Sequence, residues 1–415
     1  MSHKISRKPR LLIGITLYVY STPNTSIRSA LPLCLPKIQE SCNPCHMRWE
    51  STELKLVEAQ NKCKGVYMSK PILVVVHGIG EHTPESIVNT VNVAATNALK
   101  RYDFWGEQEF KDYVTIVGVG YNDIFKEALR KIKEQHESIS SYFKGIGFAD
   151  SLIGALGDVE DGKFLHTHVF DVLFYAGIHS GLVRAVVAEK ISEALADDNA
   201  GEVHILGHSM GTAVVHDVLC NKYPADLDPY LNKIESLWMV ANTSRLIHDW
   251  NPVQNNIDPK TSIVNPSTSA LGCVKKYFNV NHKLDFVSQP HPFKAPSTWE
   301  HYEESTLQVS YYRDIETYDF NVNKNPHDLR QYLEDPKVSE PFLSAIMPTL
   351  AFGATAIEHE EANAKGKGGV ALSQDVVDFA QNNINNVNDL KQFVVMLIEL
   401  KDKFDDIWED NHEDE

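Results

Sequence analysis

The sequence predicts an α/β fold: a mostly parallel central sheet with helices on both faces. Three observations carry that expectation. Short runs rich in β-branched residues recur from Ile72 onward, stretches with helical periodicity separate most of them, and one run leads directly through a glycine-flanked turn into a helix. The first run, Ile72–Val76, is apolar at every position, as expected of a strand covered on both faces. Further runs lie at Tyr113–Val119, Glu202–Leu206, Leu237–Ala241, Tyr277–Val280 and Asp314–Phe320. Helical patterns fall at Ser86–Arg101, Val183–Leu195 and Thr212–Cys220.

Composition narrows the class. With 43% apolar and 23% charged residues, the chain has the balance of a soluble globular protein. The net charge of −17 argues against a nucleic-acid partner, because phosphate would be repelled. Charge is uneven: residues 1–67 carry ten Lys/Arg against four Asp/Glu, net +6, which leaves −23 on the remainder. Four of the six cysteines also lie in that segment, so the main body reads as a reduced, cytoplasmic protein without a disulfide framework.

Residues 1–67 read as a poorly ordered N-terminal extension. Lys4, Arg7, Lys8 and Arg10 before the run Leu11–Tyr20 resemble the start of an export signal, but no small-residue cleavage site follows clearly. Met68 directly precedes the first strand and would serve as a natural start. Cys42-Asn-Pro-Cys45-His46 matches the C-x-x-C-H pattern of haem attachment, yet its surroundings lack sustained helical periodicity. No cofactor and no metal are assigned.

The domain proper is expected over residues 68–350. Within it, residues 124–162 form a long insertion with a charged helical stretch, Ile124–Ser138, and several glycines; it reads either as a lid over the site or as surface decoration. Residues 351–371, with the polar Asn363–Gly369, read as a linker. Residues 372–410 show four-three spacing of apolar positions, an amphipathic helix that either docks on the body or makes a homo-oligomer, and 411–415 form an acidic tail.

The chemistry is concentrated in a few places. Gly207-His208-Ser209-Met210-Gly211 is a G-x-S-x-G pentapeptide between an apolar strand and a helix, the setting a nucleophile elbow requires. Glycines at 207 and 211 leave room for a tight turn that lifts the Ser209 hydroxyl above the sheet. The same turn aims the Met210 N–H, at the helix N-terminus, toward a developing oxyanion. Val76-His77-Gly78-Ile79-Gly80 follows the first strand, and its Gly78 and the Ile79 N–H complete the expected oxyanion loop, with His77 bracing it.

A serine hydroxyl needs an imidazole to take its proton, and the imidazole needs a carboxylate to fix its tautomer. Asp285 stands at the end of the strand beginning at Tyr277 and is the expected acid, with Asp258 in a polar loop as the alternative. His327, in the loop beyond Asp314–Phe320, is the expected base; His301 is the alternative, and His208 and His216 read as structural.

With these residues in place, the chain resembles the lipase- and esterase-like branch of the α/β-hydrolase superfamily from about Pro71 to Pro341. Val-Val-His-Gly-Ile-Gly-Glu, Gly-His-Ser-Met-Gly-Thr, Phe-Asn-Val-Asn-His-Lys-Leu-Asp-Phe-Val and Asn-Pro-His-Asp-Leu-Arg-Gln-Tyr-Leu look like its oxyanion, nucleophile, acid and base blocks. The continuation Ala213-Val-Val-His-Asp217 is similar to DDHD-type intracellular phospholipases, although Phe286 stands where their acid block has proline. The resemblance implies a serine hydrolase acting on carboxylic esters, with a small-molecule or lipid ester as substrate and peripheral membrane contact. The alternative is an inactive binding or scaffold protein on the same fold.

Overall fold

The computed structural model describes residues 69–78, 82–134, 175, 180–220, 234–245, 264, 266, 273–285, 287–295, 311–320, 322, 325–347, 352–366, 378 and 382. The chain divides into two units, Met1–Val66 and Tyr67–Glu415, and all of these residues lie in the second.

Among the described residues six strands form one sheet: β1 (Ile72–Val76), β2 (Thr115–Val119), β3 (Val203–His208), β4 (Ile234–Val240), β5 (Val274–His282) and β6 (Tyr311–Thr317). Their spatial order is β2-β1-β3-β4-β5-β6, and every neighbouring pair is parallel. The chain runs from β1 outward to β2, then returns to the other side of β1 as β3 and continues outward. The direction reverses between β1 and β3, and in open parallel sheets that crevice is where ligands bind. Register aligns the carboxyl ends there, with Val76 opposite Gly207 and His208 opposite Val240.

The helices are α1 (Pro84–Leu99), α2 (Asn122–Glu134), α3 (Ser180–Ala196), α4 (Met210–Cys220), α5 (Leu329–Glu334), α6 (Pro336–Ile346) and α7 (Ala356–Gly366). Side chains alternate across each strand, so the sheet has two packing faces. Leu73, Val75, Leu206, Trp238, Val240, Phe278 and Ile315 point to one face and join residues of α1, α5, α6 and α7 in a single apolar cluster. On the other face, α3 and α4 pack against each other and against β1 and β3. α4 is buried from Met210 to Leu219, so its polar residues need partners inside: Asp217 accepts a 2.6 Å hydrogen bond from the Tyr175 hydroxyl.

The strands extend further than their apolar runs suggest. β3 continues through Gly207 and His208, and α4 begins at Met210, so a single residue, Ser209, makes the turn. The expectation of a linker over residues 351–371 is corrected, because α7 occupies most of that range. Its glycines and lysines suggested flexibility, but Thr355 and Glu358 cap the helix reciprocally: the Glu358 carboxylate accepts from Thr355 N–H at 2.6 Å, and the Thr355 hydroxyl accepts from Glu358 N–H at 3.3 Å. Distant partners complete it. The Tyr102 hydroxyl meets His359 Nδ1 at 2.9 Å, and Asn363 donates to Glu340 at 2.6 Å.

Of the 124–162 insertion, the part up to Glu134 is the helix α2; the rest lies outside the described residues. So do residues 1–67 with the C-x-x-C-H segment, all of the 372–410 helix but two positions, and the acidic tail. Among the described residues no helix is long and apolar enough to cross a membrane.

Trp238 is the largest fully buried side chain of the apolar cluster, stacked on Phe278 with ring centroids 3.8 Å apart and set edge-on to Phe342 at 5.2 Å. Trp238→Ala removes both contacts and leaves a cavity in the middle of the sheet. It is expected to lower stability by about 3–5 kcal/mol, read from the urea midpoint; a loss below about 1 kcal/mol would contradict this packing.

Candidate active site

Ser209 is the turn between β3 and α4, and its φ of 55° places a non-glycine residue in the left-handed region. Such a conformation costs on the order of 1–3 kcal/mol and persists only where neighbours enforce it. Here the Ser209 N–H donates to Val240 O at 3.0 Å. The Ser209 carbonyl receives three donors: Thr212 N–H at 2.9 Å, the Thr212 hydroxyl at 2.6 Å and the Thr243 hydroxyl at 2.9 Å. The Thr243 N–H in turn donates to the Thr212 hydroxyl at 2.9 Å, which ties the end of β4 to the turn.

Two glycines are required by close approach. A Cβ on Gly211 would stand 2.2 Å from Val76 O, so only glycine lets α4 start against the end of β1. A Cβ on Gly78 would stand 2.4 Å from the Ser209 Cβ and 2.8 Å from its Oγ. The loop after β1 therefore lies directly on the serine. The Tyr121 hydroxyl holds it there, 2.7 Å from His77 O and 3.3 Å from Gly78 O. Ile79 lies outside the described residues, whereas Met210 opens α4, whose first-turn N–H groups have no acceptor within the helix.

The structure brings Ser209, His327 and Asp285 together. His327 Nε2 is 2.8 Å from Ser209 Oγ, and its Nδ1 is 2.9 and 3.0 Å from the two Asp285 oxygens. A carboxylate only accepts, so Nδ1 carries the proton and Nε2 presents its lone pair to the serine hydroxyl. His327 is held locally: Asn325 Oδ1 accepts from its N–H at 2.9 Å, Pro326 fixes the intervening backbone, and Asp328 caps α5 through the Arg330 N–H at 2.7 Å.

Asp285 is fully buried. Burial pushes its carboxyl up, but electrostatic attraction to the facing imidazole and hydrogen bonds from His327, Tyr332 and Val287 outweigh it and hold it at about 2. The Tyr332 hydroxyl donates to Asp285 Oδ2 at 2.6 Å and itself accepts from the His282 N–H at 3.0 Å. The arrangement can therefore draw a proton from Ser209 to His327 Nε2 while a fixed negative charge faces the imidazolium.

Tyr332, Thr243 and Tyr121 were not legible as site residues. Tyr332 lies five positions after His327 in the segment that marked the base, but nothing local says that its hydroxyl meets Asp285. Of the alternatives, Asp258 and His301 lie outside the described residues. His359 sits on α7 against Tyr102. Among the described residues no cluster of His, Cys, Asp and Glu could hold a metal ion. No protein-family model matches the chain, and no curated protein matches it.

Several histidines near the sheet are uncharged, and His204, His208 and His282 are buried. Burial, reinforced by His82, His208 and His327, pushes His77 well below its usual range; burial pushes His204 and His208 to about 3 and His282 to about 4. Each folded-state value lies below the unfolded value of roughly 6.5. Their contribution to stability is therefore complete above that pH and is lost as pH falls below it, because the unfolded chain binds the protons. Unfolding free energy is expected to drop as pH falls from about 6.5. Urea midpoints at pH 7 and pH 5 check this; equal midpoints would contradict it.

Proposed function

We propose that the protein is a serine hydrolase of the α/β-hydrolase fold that cleaves carboxylic esters through an acyl-enzyme. The observation that carries this reading is the continuous line from Ser209 Oγ through His327 to Asp285, with contacts of 2.8 and 2.9 Å, on a serine in left-handed backbone conformation. The nucleophile, acid and base follow β3, β5 and β6, in the chain order Ser, Asp, His that this fold uses. The order β2-β1-β3-β4-β5-β6 sets the serine beside the crevice where the chain reverses direction, which supports the same assignment.

In the reaction, Ser209 Oγ bonds to the ester carbonyl carbon as His327 Nε2 takes the hydroxyl proton. The carbonyl oxygen becomes an oxyanion, received by the Met210 N–H and the loop that Gly78 begins, with Ile79 as its second donor. Collapse breaks the bond to the alcohol oxygen, which leaves with the proton from His327. Water then attacks the acyl-serine, His327 accepts its proton and returns it to Ser209, and the carboxylic acid departs. Asp285 keeps its negative charge throughout and faces the imidazolium.

An acyl or lipid ester is the substrate class we favour. α2 starts just beyond the carboxyl end of β2, on the same sheet edge as Ser209, with Phe125 buried beneath it and Lys126, Arg130 and Lys131 at the surface. An apolar underside with cations outside suits an acyl chain and peripheral contact with an anionic lipid surface. The skew of cysteines away from the main body supports a reducing, cytoplasmic location, and the apolar spacing over residues 372–410 supports a homo-oligomer.

A fluorophosphonate probe is expected to label wild-type protein at Ser209. Ser209→Ala should lose labelling and roughly a thousandfold or more of its turnover of nitrophenyl esters, with eight- to sixteen-carbon esters preferred over acetyl esters by the wild type. Folded wild-type protein that resists the probe would instead support a non-catalytic binding role. Preference for acetyl esters would leave an esterase without lipid specificity.

A further inference from the structure

The second residue of the serine pentapeptide makes a contact that the reaction above does not use. His208 ends β3 with its side chain buried, and its Nε2 lies 2.9 Å from the backbone carbonyl oxygen of His327. A carbonyl oxygen only accepts, so Nε2 carries the proton and donates it. His208 Nδ1 is then an acceptor with no hydrogen-bond partner among the described residues. A buried polar atom left unpaired disfavours the folded state, so the imidazole is retained here at a cost to stability. The Nε2 contact is the polar interaction that this ring makes in return.

The ring also lies between two others. Its centroid is 4.8 Å from that of His77 and 5.1 Å from that of His327. One imidazole thus touches the loop after β1, belongs to the strand that carries Ser209, and hydrogen-bonds the backbone of the proton acceptor. Within its own loop the His327 N–H donates to Asn325 Oδ1, a local turn. Asp285 restrains the tip of the His327 side chain, and His208 restrains its backbone from the strand that ends at the nucleophile.

We infer that His208 is a positioning residue: its Nε2–H···O=C bond to His327 fixes the distance between the base and Ser209. The inference rests on the proposed hydrolase reading for its kinetic consequence, but the hydrogen bond it concerns is present without turnover. Displacing a catalytic group by about 1 Å can cost a hundredfold in rate, so a base held by two anchors on different elements is what the step at Ser209 requires. Burial holds the imidazole at about 3, so it stays uncharged near neutral pH and places no positive charge beside His327.

Two substitutions separate the hydrogen bond from the packing. Glutamine can present an amide N–H near the position of imidazole Nε2, whereas methionine fills similar volume without a donor. His208→Met is expected to lower kcat for a nitrophenyl ester roughly ten- to a hundredfold with KM changed less than about twofold, and His208→Gln to recover most of that loss. The second readout is the downfield proton resonance of the His327 Nδ1–H shared with Asp285. It should broaden or vanish in His208→Met and persist in His208→Gln, whether or not the protein turns over an ester.

A methionine variant with wild-type kcat and an intact resonance overturns the inference. So does a folded glutamine variant as impaired as methionine, because packing alone would then matter. If only the glutamine variant folds, its kcat and resonance decide in the same way. Wild-type protein without ester turnover would overturn the hydrolase reading and leave the resonance to decide the role of His208.

Discussion

The left-handed turn at Ser209 is the constraint on which the rest of this molecule depends. One residue connects a parallel strand to a helix, so the end of β3 and the start of α4 are forced almost into contact. That proximity explains why Gly211 carries no side chain, since the end of β1 already fills the space. It also explains the three hydrogen bonds that converge on the Ser209 carbonyl. A backbone conformation that is unfavourable by itself becomes the only one available once the two threonines and Val240 O have taken its polar groups.

The strain is shared by the next strand. Ala241, at the end of β4, is the other non-glycine residue with positive φ among the described residues, at 50°. Its N–H donates to Val280 O at 2.9 Å, as that of Ser209 donates to Val240 O, so two adjacent strands leave the sheet by the same kind of turn. The turn at Ala241 brings Thr243 back over Ser209. It also turns Asn242 inward, where its amide donates to Asn279 at 2.9 Å and to the Tyr277 hydroxyl at 3.2 Å. The Ser209 backbone is therefore anchored through β4 to a polar network on β5, and the network continues to Asp314 of β6.

Much of this was legible in the sequence because it is local. A β-branched run, a glycine two residues on either side of a serine, and an Asn-Pro-His-Asp segment each have physical meaning within a few positions of chain. The six strands and the Ser209, Asp285 and His327 assignments needed nothing more than such segments taken in order. The residues that escaped are those whose role is defined across long separations: Tyr332 meets Asp285 over 47 positions, Thr243 meets Ser209 over 34, and His208 meets His327 over 119. No periodicity or spacing encodes a contact that only the folded sheet creates. The helix α7 is a different kind of miss. Thr355-Ala-Ile-Glu358 has the spacing of a capping box, and the glycines and lysines that follow it masked the signal.

The buried charge of Asp285 shows how the two faces of the sheet divide the work. A carboxylate without solvent is costly unless every lone pair is met. Here the donors come from His327, from Tyr332 on α5, and from the Val287 and Ser288 N–H groups of its own turn, at 2.8 and 3.3 Å. Tyr332 belongs to the apolar cluster of the α1, α5 and α6 face, so its ring is fixed by packing and its hydroxyl by the His282 N–H. The core thus acts on the site through the orientation of one phenol: hydrophobic burial sets where the hydroxyl can point, and the hydroxyl joins His327 and the Val287 N–H in keeping the carboxylate ionised. On the opposite face α4 is buried along nearly its whole length, which fixes the direction of its N-terminus and so of the Met210 N–H. Packing on one side supports the anion that faces His327, and packing on the other holds the helix end behind the serine. The sheet edge between them is where Ser209 and His327 meet.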